Sequence, residues 1–331
     1  MLTAIENLKE TMKKDGHPDR FVNQYEFLNI LIPGSYYMKD YPMVPGTEGY
    51  DQYGVLWRLP EGQMGPYPVH DEAHKVIKDV TEWDKVLTHL PVCPDAPEFW
   101  GMVNGIAAQT DPTKQYTAAF ASQGLFERFH ALMGMDDAMI ALYEEPEACH
   151  DLLDFITEAE LDYAKNLMDR VPSTNALFHH DDWGSDVNSF LAPDMFDEFF
   201  TPRYKKIYSY WKSRGAELIV HHSDSYAANL VPSMIEMGID IWQGCFPSNN
   251  IPALVEKYAG QITFMGEIET RFIDLPDWTE EKVAAEVERA CRKCKGPSFI
   301  PCLTAGMYFS NFPGVYESVS RNIDRMSREL F

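Results

Sequence analysis

The chain of 331 residues lacks a long hydrophobic run and has few basic side chains. No stretch of about 18 uncharged apolar residues occurs, so the sequence predicts no transmembrane helix. Lysine and arginine number 28 against 51 aspartate and glutamate residues, which gives a formal net charge of −23. Because nucleic acids and anionic membranes are bound by clustered basic residues, this balance argues against both as partners. A neutral or cationic ligand, or a protein with a basic surface, fits the charge better.

Cysteine is also scarce, and the short motifs of several enzyme classes are missing. Six cysteines are too few for a disulfide scaffold in a chain of this length, which suits a reducing compartment. The first residues mix acidic side chains and lysines without a continuous apolar segment, so we expect no secretory signal and a cytoplasmic location. Neither a glycine-rich phosphate loop nor a GxSxG nucleophile motif is present.

From about residue 116 onward, short apolar runs alternate with amphipathic helical segments. Three of the runs are Tyr116–Ala121, Ala176–Phe178 and Ala216–Val220. They are long enough for buried parallel strands and too short for helices. His180 and His222, which follow two of them, are 42 positions apart (222 − 180), a spacing that suits one strand–helix–strand unit with a right-handed crossover. The pattern predicts an α/β fold, a (β/α)8 TIM barrel formed by residues 96–331.

Residues 1–95 do not follow this alternation and are predicted to form a loop-rich N-terminal extension. Beyond a possible first helix, the segment is rich in proline, glycine and tyrosine, yet it is too apolar to be disordered. We expect ordered loops that cover the mouth of the barrel. Tyr36 and Tyr37 are candidate substrate-binding residues in this cover, although aromatic side chains more often serve core packing.

Polar side chains follow the predicted strands at their carboxyl ends, where α/β proteins place their chemistry. They are His180, Asp182, His222, Asp224, Glu267 and Cys302. Histidine, carboxylate and thiolate groups that meet at one barrel mouth would form an open metal site with room for a substrate atom. Zinc is expected in preference to magnesium, because imidazole and thiolate are borderline-soft ligands.

Each of these residues also has a simpler explanation when it is taken alone. Cys302 could be a small buried side chain, and Glu267 could neutralise Arg271. Asp224 could cap the helix that follows it. Their joint occurrence at successive strand ends is what favours a metal site.

Four passages of the chain are similar to one known family. They are DQYGVLW at residues 51–57, FASQGLFERFHALMG at 120–134, HDDWGS at 180–185 and HHSDSYAANLVPSMIEMGIDIWQG at 221–244. From about Tyr50 to the C-terminus the chain resembles the uroporphyrinogen decarboxylase superfamily and, within it, the corrinoid-dependent methyltransferases. The HDDWGS and HHSD passages are the more specific parts of this resemblance.

The resemblance favours the methyltransferase branch over the decarboxylases. Decarboxylases of the family bind substrate carboxylates with an arginine-rich N-terminal motif, whereas this chain has LIPGSYYMKDYP in the corresponding passage. The methyltransferase branch implies a zinc site of the form His-x-Cys with a later cysteine. Here His222 matches the histidine, Asp224 takes the place of the first cysteine, and Cys302 is the candidate for the later one.

A carboxylate at position 224 would make the metal a better Lewis acid toward oxygen than toward a thiol. The chain therefore resembles the first methyltransferase of aryl methyl ether O-demethylase systems, which moves a methyl group from an aryl methyl ether to the cob(I)alamin of a separate corrinoid protein. Trp183 and Trp242 are further candidate substrate-binding residues. Candidates for protonating the leaving oxygen, or for holding the ring oxygens, are His180, Asp182 and His221.

Three other functions remain open on the sequence. They are methyl transfer from a methylated corrinoid to a thiol, a lyase of the uroporphyrinogen decarboxylase type, and a barrel that only binds an aromatic ligand or a corrinoid protein. A homodimer is expected on general grounds, because isologous dimers are the commonest oligomers.

Overall fold

The computed structural model of the chain describes residues 1–38, 42, 44–63 and 65–331, without the side chain of Tyr37. These residues form ten β-strands and thirteen α-helices. The strands are β1 Leu28–Leu31, β2 Thr47–Tyr50, β3 Leu56–Leu59, β4 Tyr67–Pro68, β5 Tyr116–Ser122, β6 Ala176–His180, β7 Leu218–His222, β8 Ile241–Cys245, β9 Thr263–Ile268 and β10 Phe299–Leu303. The helices are α1 Ala4–Met12, α2 Trp83–Val86, α3 Pro97–Ala107, α4 Leu125–Met133, α5 Met135–Glu144, α6 Pro146–Arg170, α7 Pro193–Phe199, α8 Thr201–Ser213, α9 Val231–Met237, α10 Ile251–Tyr258, α11 Thr270–Ile273, α12 Glu280–Lys293 and α13 Val315–Leu330. None of the described helices combines the length and the hydrophobicity that a membrane span requires.

Seven strands form one parallel sheet in the order β1-β5-β6-β7-β8-β9-β10. Their residues are mostly apolar and buried, as expected for parallel strands that are covered on both faces. The sheet curls into a barrel, since every one of the seven strands contributes to a single inner cluster. Its strand members are Leu28, Ile30, Tyr116, Ala118, Phe120, Ala176, Phe178, Leu218, Val220, Ile241, Met265, Ile300 and Cys302. The predicted α/β fold of the TIM-barrel type is confirmed.

The barrel differs from the predicted eight strands at the seam between β1 and β10. Val22, Tyr25 and Phe27 complete the inner cluster there without forming a strand in the described structure. Gln24, which has a left-handed backbone with φ of 49°, accepts a hydrogen bond from the main-chain N–H of Leu303 at 3.4 Å. A turn whose side chains contact β10 therefore occupies the position where an eighth strand would stand.

The N-terminal segment contributes both to the barrel and to a small separate sheet. Although it lies within residues 1–95, β1 is the edge strand of the barrel and pairs with β5. The strands β2, β3 and β4 form an antiparallel sheet of their own. Asp51 ties this sheet to α4, because its carboxylate accepts hydrogen bonds from the indole of Trp57 at 2.9 Å and from the guanidinium of Arg128.

Candidate functional site

The carboxyl ends of β6 and β7 carry two pairs of consecutive histidines in matching register. His179 pairs with His221, and His180 pairs with His222. Consecutive side chains of a strand point to opposite faces of the sheet. Phe178 lies in the inner cluster, so His180 and His222 continue the inner face to the barrel mouth, and the other two histidines face the surrounding helices.

At the mouth, His180, Asp182 and His222 form a compact cluster of potential metal ligands. One donor atom from each side chain lies within 4.8 Å of the other two. The imidazole rings of His180 and His222 have centroids 4.6 Å apart, and His222 Nε2 lies 3.9 Å from Asp182 Oδ1. The side chains of His180 and Asp182 are 23% and 28% exposed, against 2% for His222. The cluster is therefore anchored on one side and open to solvent on the other.

Hydrogen bonds fix the orientation of both imidazoles. His180 Nδ1 lies 3.0 Å from Glu127 Oε2, and His222 Nδ1 contacts the amide oxygen of Gln243. The amide of Gln243 is oriented by its NH2 group, which donates to the carbonyl oxygen of Leu303 at 3.1 Å. Because both partners are acceptors, each Nδ1 carries a proton, and Nε2 is the atom left for a ligand once it bears no proton. Metal-binding histidines are held in this way.

Burial and neighbouring charges shift the pKa values of the two histidines in opposite directions. Burial acts to lower the pKa of His180, but the carboxylates of Glu127 and Asp182 outweigh it and raise that pKa to about 10. Burial and the charge of His180 lower the pKa of His222 to about 4. Burial, followed by the charge of Asp182, raises the pKa of Asp224, whose main-chain N–H donates to Asp182 Oδ1 at 3.0 Å. The metal-free cluster thus holds a proton on His180 and keeps His222 neutral.

The cluster has the composition and the space that a divalent transition metal needs. Two imidazole nitrogens and one carboxylate oxygen suit zinc and its neighbours, and three protein ligands leave a position for a substrate atom. Gly306 lies against the imidazole of His222, where an added Cβ would be 2.7 Å from Nε2. The same Cβ would be 2.6 Å from Cε1 and 2.9 Å from Nδ1, so it would overlap the face of the ring, and glycine at this position lets the loop after β10 pack against that face.

The structure does not bring Glu267 to this cluster. Its carboxylate is buried and accepts hydrogen bonds from Arg289 at 2.8 Å and Lys293 at 2.7 Å, both on α12 outside the sheet. Met265, two residues earlier, faces the inside of the barrel. A left-handed backbone at Glu267, with φ of 68°, breaks the alternation and turns its side chain outward.

Cys302 lies inside the barrel, and the structure does not place it among the cluster donors. Its thiol interacts with Tyr25 and Gln243, and burial raises the pKa of the thiol well above its usual value. The amide of Gln243 contacts both Cys302 and His222. The thiol therefore reaches the cluster only through this glutamine.

The other predicted site residues lie behind the strands. Tyr36, Trp183 and Trp242 are buried in the core between the sheet and the helices, where the indole of Trp183 stacks on His221 at 3.9 Å. His221 is fully buried in the same layer. The side chain of Tyr37 lies outside the described residues.

Three residues of the site were not anticipated from the sequence: Glu127, Gln243 and Gly306. Glu127 is the only acidic residue of α4, the helix that starts just after β5. Gln243 lies in β8, and its position in a predicted strand was the one feature of the sequence that could have indicated it as a site residue. Gly306 belongs to the loop after β10 and has no local pattern that marks it.

His130, one turn after Glu127 on α4, is expected to make the stability of the fold sensitive to acid. Burial lowers the pKa of its imidazole to about 3, and its Nδ1 has no hydrogen-bond partner. Because the unfolded chain binds this proton near pH 6.5, stability is complete above that pH and falls as the pH decreases toward 3. We expect His130→Phe to remove about 1–2 kcal/mol of the loss between pH 7 and pH 5, measured by urea unfolding.

His89→Gln, at an exposed position, serves as the control and should leave the pH profile unchanged. An identical acid profile for His130→Phe and the wild type would contradict the neutral state assigned to His130.

The site lies within residues 110–314, which match the family model described as uroporphyrinogen decarboxylase (URO-D). The chain therefore belongs to the uroporphyrinogen decarboxylase family. Its fold is similar to that of a methyltransferase from Methanosarcina mazei, with 15% identity, coverage of 98% of this chain and 99% of that chain, and a TM-score of 0.64. A B12-independent methionine synthase from Shewanella sp. W3-18-1 shares 15% identity over 72% of this chain and 69% of that chain, with a TM-score of 0.45. No sequence among the curated proteins matches the chain.

Proposed function

We propose that the protein is a zinc-dependent methyltransferase that moves a methyl group from an aryl methyl ether to the cob(I)alamin of a separate corrinoid protein. The observation that carries the proposal is the cluster of His180, Asp182 and His222, with both Nδ1 atoms held and one side open. The family and the fold shared with a methyltransferase support methyl transfer as the reaction type.

The ligand set favours an oxygen-bound methyl group over a thiol. Zinc held by the two imidazoles and a carboxylate would supply Lewis-acid polarisation of an ether oxygen. Glu127 and Gln243 engage the Nδ1 atoms of the two imidazoles, which leaves their Nε2 atoms to a metal. The chain thereby presents a preorganised, harder donor set than one containing a thiolate.

The charge of the site favours a neutral substrate. The acidic side chains of Glu127, Asp182 and Asp224 all act on the pKa of His180, and those of them that are ionised disfavour a ligand with many carboxylates. A porphyrinogen therefore fits poorly, whereas an aryl methyl ether brings no charge until its carbon–oxygen bond breaks. In the proposed reaction the cobalt–carbon bond forms as that bond breaks, and the phenol oxygen takes a proton.

The test is an assay of methyl transfer with the purified, zinc-loaded protein, cob(I)alamin and a panel of methoxylated aromatics. We expect a methylated corrinoid and a free phenol in equal amounts, with no reaction in protein treated with a chelator. Methylation of a thiol by a methylated corrinoid, without ether cleavage, would replace this proposal by the reverse type of transfer. Zinc-loaded protein that is inactive in both directions would refute methyl transfer.

A further inference from the structure

A series of buried polar contacts runs behind the metal cluster from α6 to the turn after β6. Glu160 on α6 has a carboxyl oxygen 3.7 Å from His179 Nε2. His179 Nδ1 lies 2.9 Å from the hydroxyl of Tyr208 on α8, which in turn lies 2.8 Å from His221 Nδ1. His221 Nε2 contacts the main-chain oxygen of Asp181 at 3.1 Å. All five residues are almost fully buried, and we call the first four the relay chain.

The main-chain oxygen of Asp181 determines the direction of every hydrogen bond in the relay chain. A carbonyl oxygen only accepts, so His221 must carry its proton on Nε2 and accept at Nδ1. Tyr208 then donates its hydroxyl proton to His221 and accepts from His179 Nδ1. The carboxyl group of Glu160 lies 3.7 Å from His179 Nε2, which is a polar contact beyond hydrogen-bond distance.

Each strand-end member of this arrangement is followed directly by a residue of the metal cluster. His179 precedes His180, Asp181 precedes Asp182, and His221 precedes His222. Because consecutive residues of a strand face opposite sides, holding one residue from behind fixes the direction of the next one in front. The carboxylate of Asp181 adds to this restraint, since it accepts from the main-chain N–H groups of Phe126 at 3.0 Å and Glu127 at 2.7 Å.

We propose that the relay chain Glu160, His179, Tyr208 and His221 positions the metal ligands from behind the sheet. These four are positioning residues, because their contacts reach the cluster only through the backbone of its neighbours. The inference rests on the proposed metal site but not on the identity of the methyl donor or acceptor. Outer hydrogen bonds of this kind commonly change metal affinity by about 10–100-fold when they are removed.

Tyr208→Phe tests the relay chain, because it removes one hydroxyl group and keeps the ring. The probe is Co2+ alone, titrated into the purified full-length protein and followed by its visible absorption, with Zn2+ as the competitor. We expect Co2+ to bind about tenfold more weakly than to the wild type, with a changed spectrum that reports altered ligand geometry.

Tyr163→Phe is the matched control. Its hydroxyl is equally buried and donates to the main-chain oxygen of Phe120 on β5 at 2.6 Å, outside the relay chain. Tyr163→Phe loses the buried hydrogen bond to Phe120 and Tyr208→Phe loses the two to His179 and His221, and each lost bond should cost about 1 kcal/mol of stability. Only Tyr208→Phe is expected to change the affinity and the spectrum. An unchanged affinity for Tyr208→Phe, or the same loss in both variants, would overturn the inference.

Replacements of Glu160 test its contact with His179. Glu160→Gln keeps the size of the side chain and a polar group beside His179 Nε2, so its Co2+ affinity should stay within about twofold of the wild type, whereas Glu160→Leu should weaken binding about tenfold. Equal affinities of the two variants would overturn the place of Glu160 in the relay chain. If the wild-type protein bound neither Co2+ nor Zn2+, the proposed function would be overturned. A failure of the relay chain alone gives a different result, in which the wild type binds the metal and Tyr208→Phe binds it equally well.

Discussion

His222→Ala is expected to abolish zinc binding and to lower the rate of methyl transfer about a thousandfold. His222 is the most buried member of the cluster, and its orientation is fixed by Gln243. Lewis-acid activation of a leaving oxygen contributes several kcal/mol, and a loss of about 4 kcal/mol corresponds to about three powers of ten in rate. Elemental analysis of the purified variant and kcat/KM for the methyl ether give the two readouts.

Two control variants separate this cluster from the ligands expected on the sequence alone. Cys302→Ser keeps a hydrogen-bonding group toward Tyr25 and Gln243, so the variant should retain its zinc. Glu267→Gln should also retain zinc, although it weakens the ion pairs with α12. Loss of zinc from a folded Cys302→Ser variant would instead show that the thiol of Cys302 is a zinc ligand.

Arg128→Met is expected to destabilise the protein by about 3–5 kcal/mol, because it leaves the carboxylate of Asp51 buried without its cation. The side chains of Arg128 and Asp51 are each only 1% exposed. The guanidinium also lies 4.2 Å from the ring centre of Tyr53, and that contact is lost as well. The free energy of unfolding from urea titration measures the effect.

Arg58→Met provides the exposed counterpart in the same small sheet. Arg58 and Glu48 form an ion pair whose side chains are 54% and 45% exposed, so its removal should cost less than about 1 kcal/mol. The double variant Asp51→Leu/Arg128→Met should be more stable than the sum of its single changes predicts. Strict additivity, or a loss for Arg128→Met no larger than for Arg58→Met, would mean that the buried pair does not hold the extension to α4.

The order of strands and helices was predictable from residue 116 onward, because the core of a parallel sheet is built from short continuous apolar runs. The strand ends were less predictable. The apolar run Ala216–Val220 suggested a strand that stops before the histidines, whereas β7 runs from Leu218 to His222. Polar residues at the mouth still pair with their neighbours, and hydrophobicity alone does not mark that part of a strand.

The candidate site was predictable only where its residues follow the strand alternation. His180, Asp182 and His222 were named from their positions after apolar runs, and the structure brings them together. Glu267 departs from the alternation through one left-handed residue, which no local pattern in the sequence announces. The depth of Cys302 in the barrel and the approach of Glu127 from α4 depend on packing between distant elements.

The side chains of residues 179–182 point alternately to the mouth and to the helices, and this alternation limits the insertions and deletions that the protein can tolerate. Removing or adding a single residue inside β6 would exchange the two sets of side chains, so that His179 and Asp181 would face the mouth and His180 and Asp182 the helices. Both sets contain imidazole and carboxylate groups, yet only His180 is matched to Glu127 in front and only His179 to Tyr208 behind. Length variation among natural relatives should therefore fall in the loops after the strands, and even a one-residue slip within β6 would disable both faces at once.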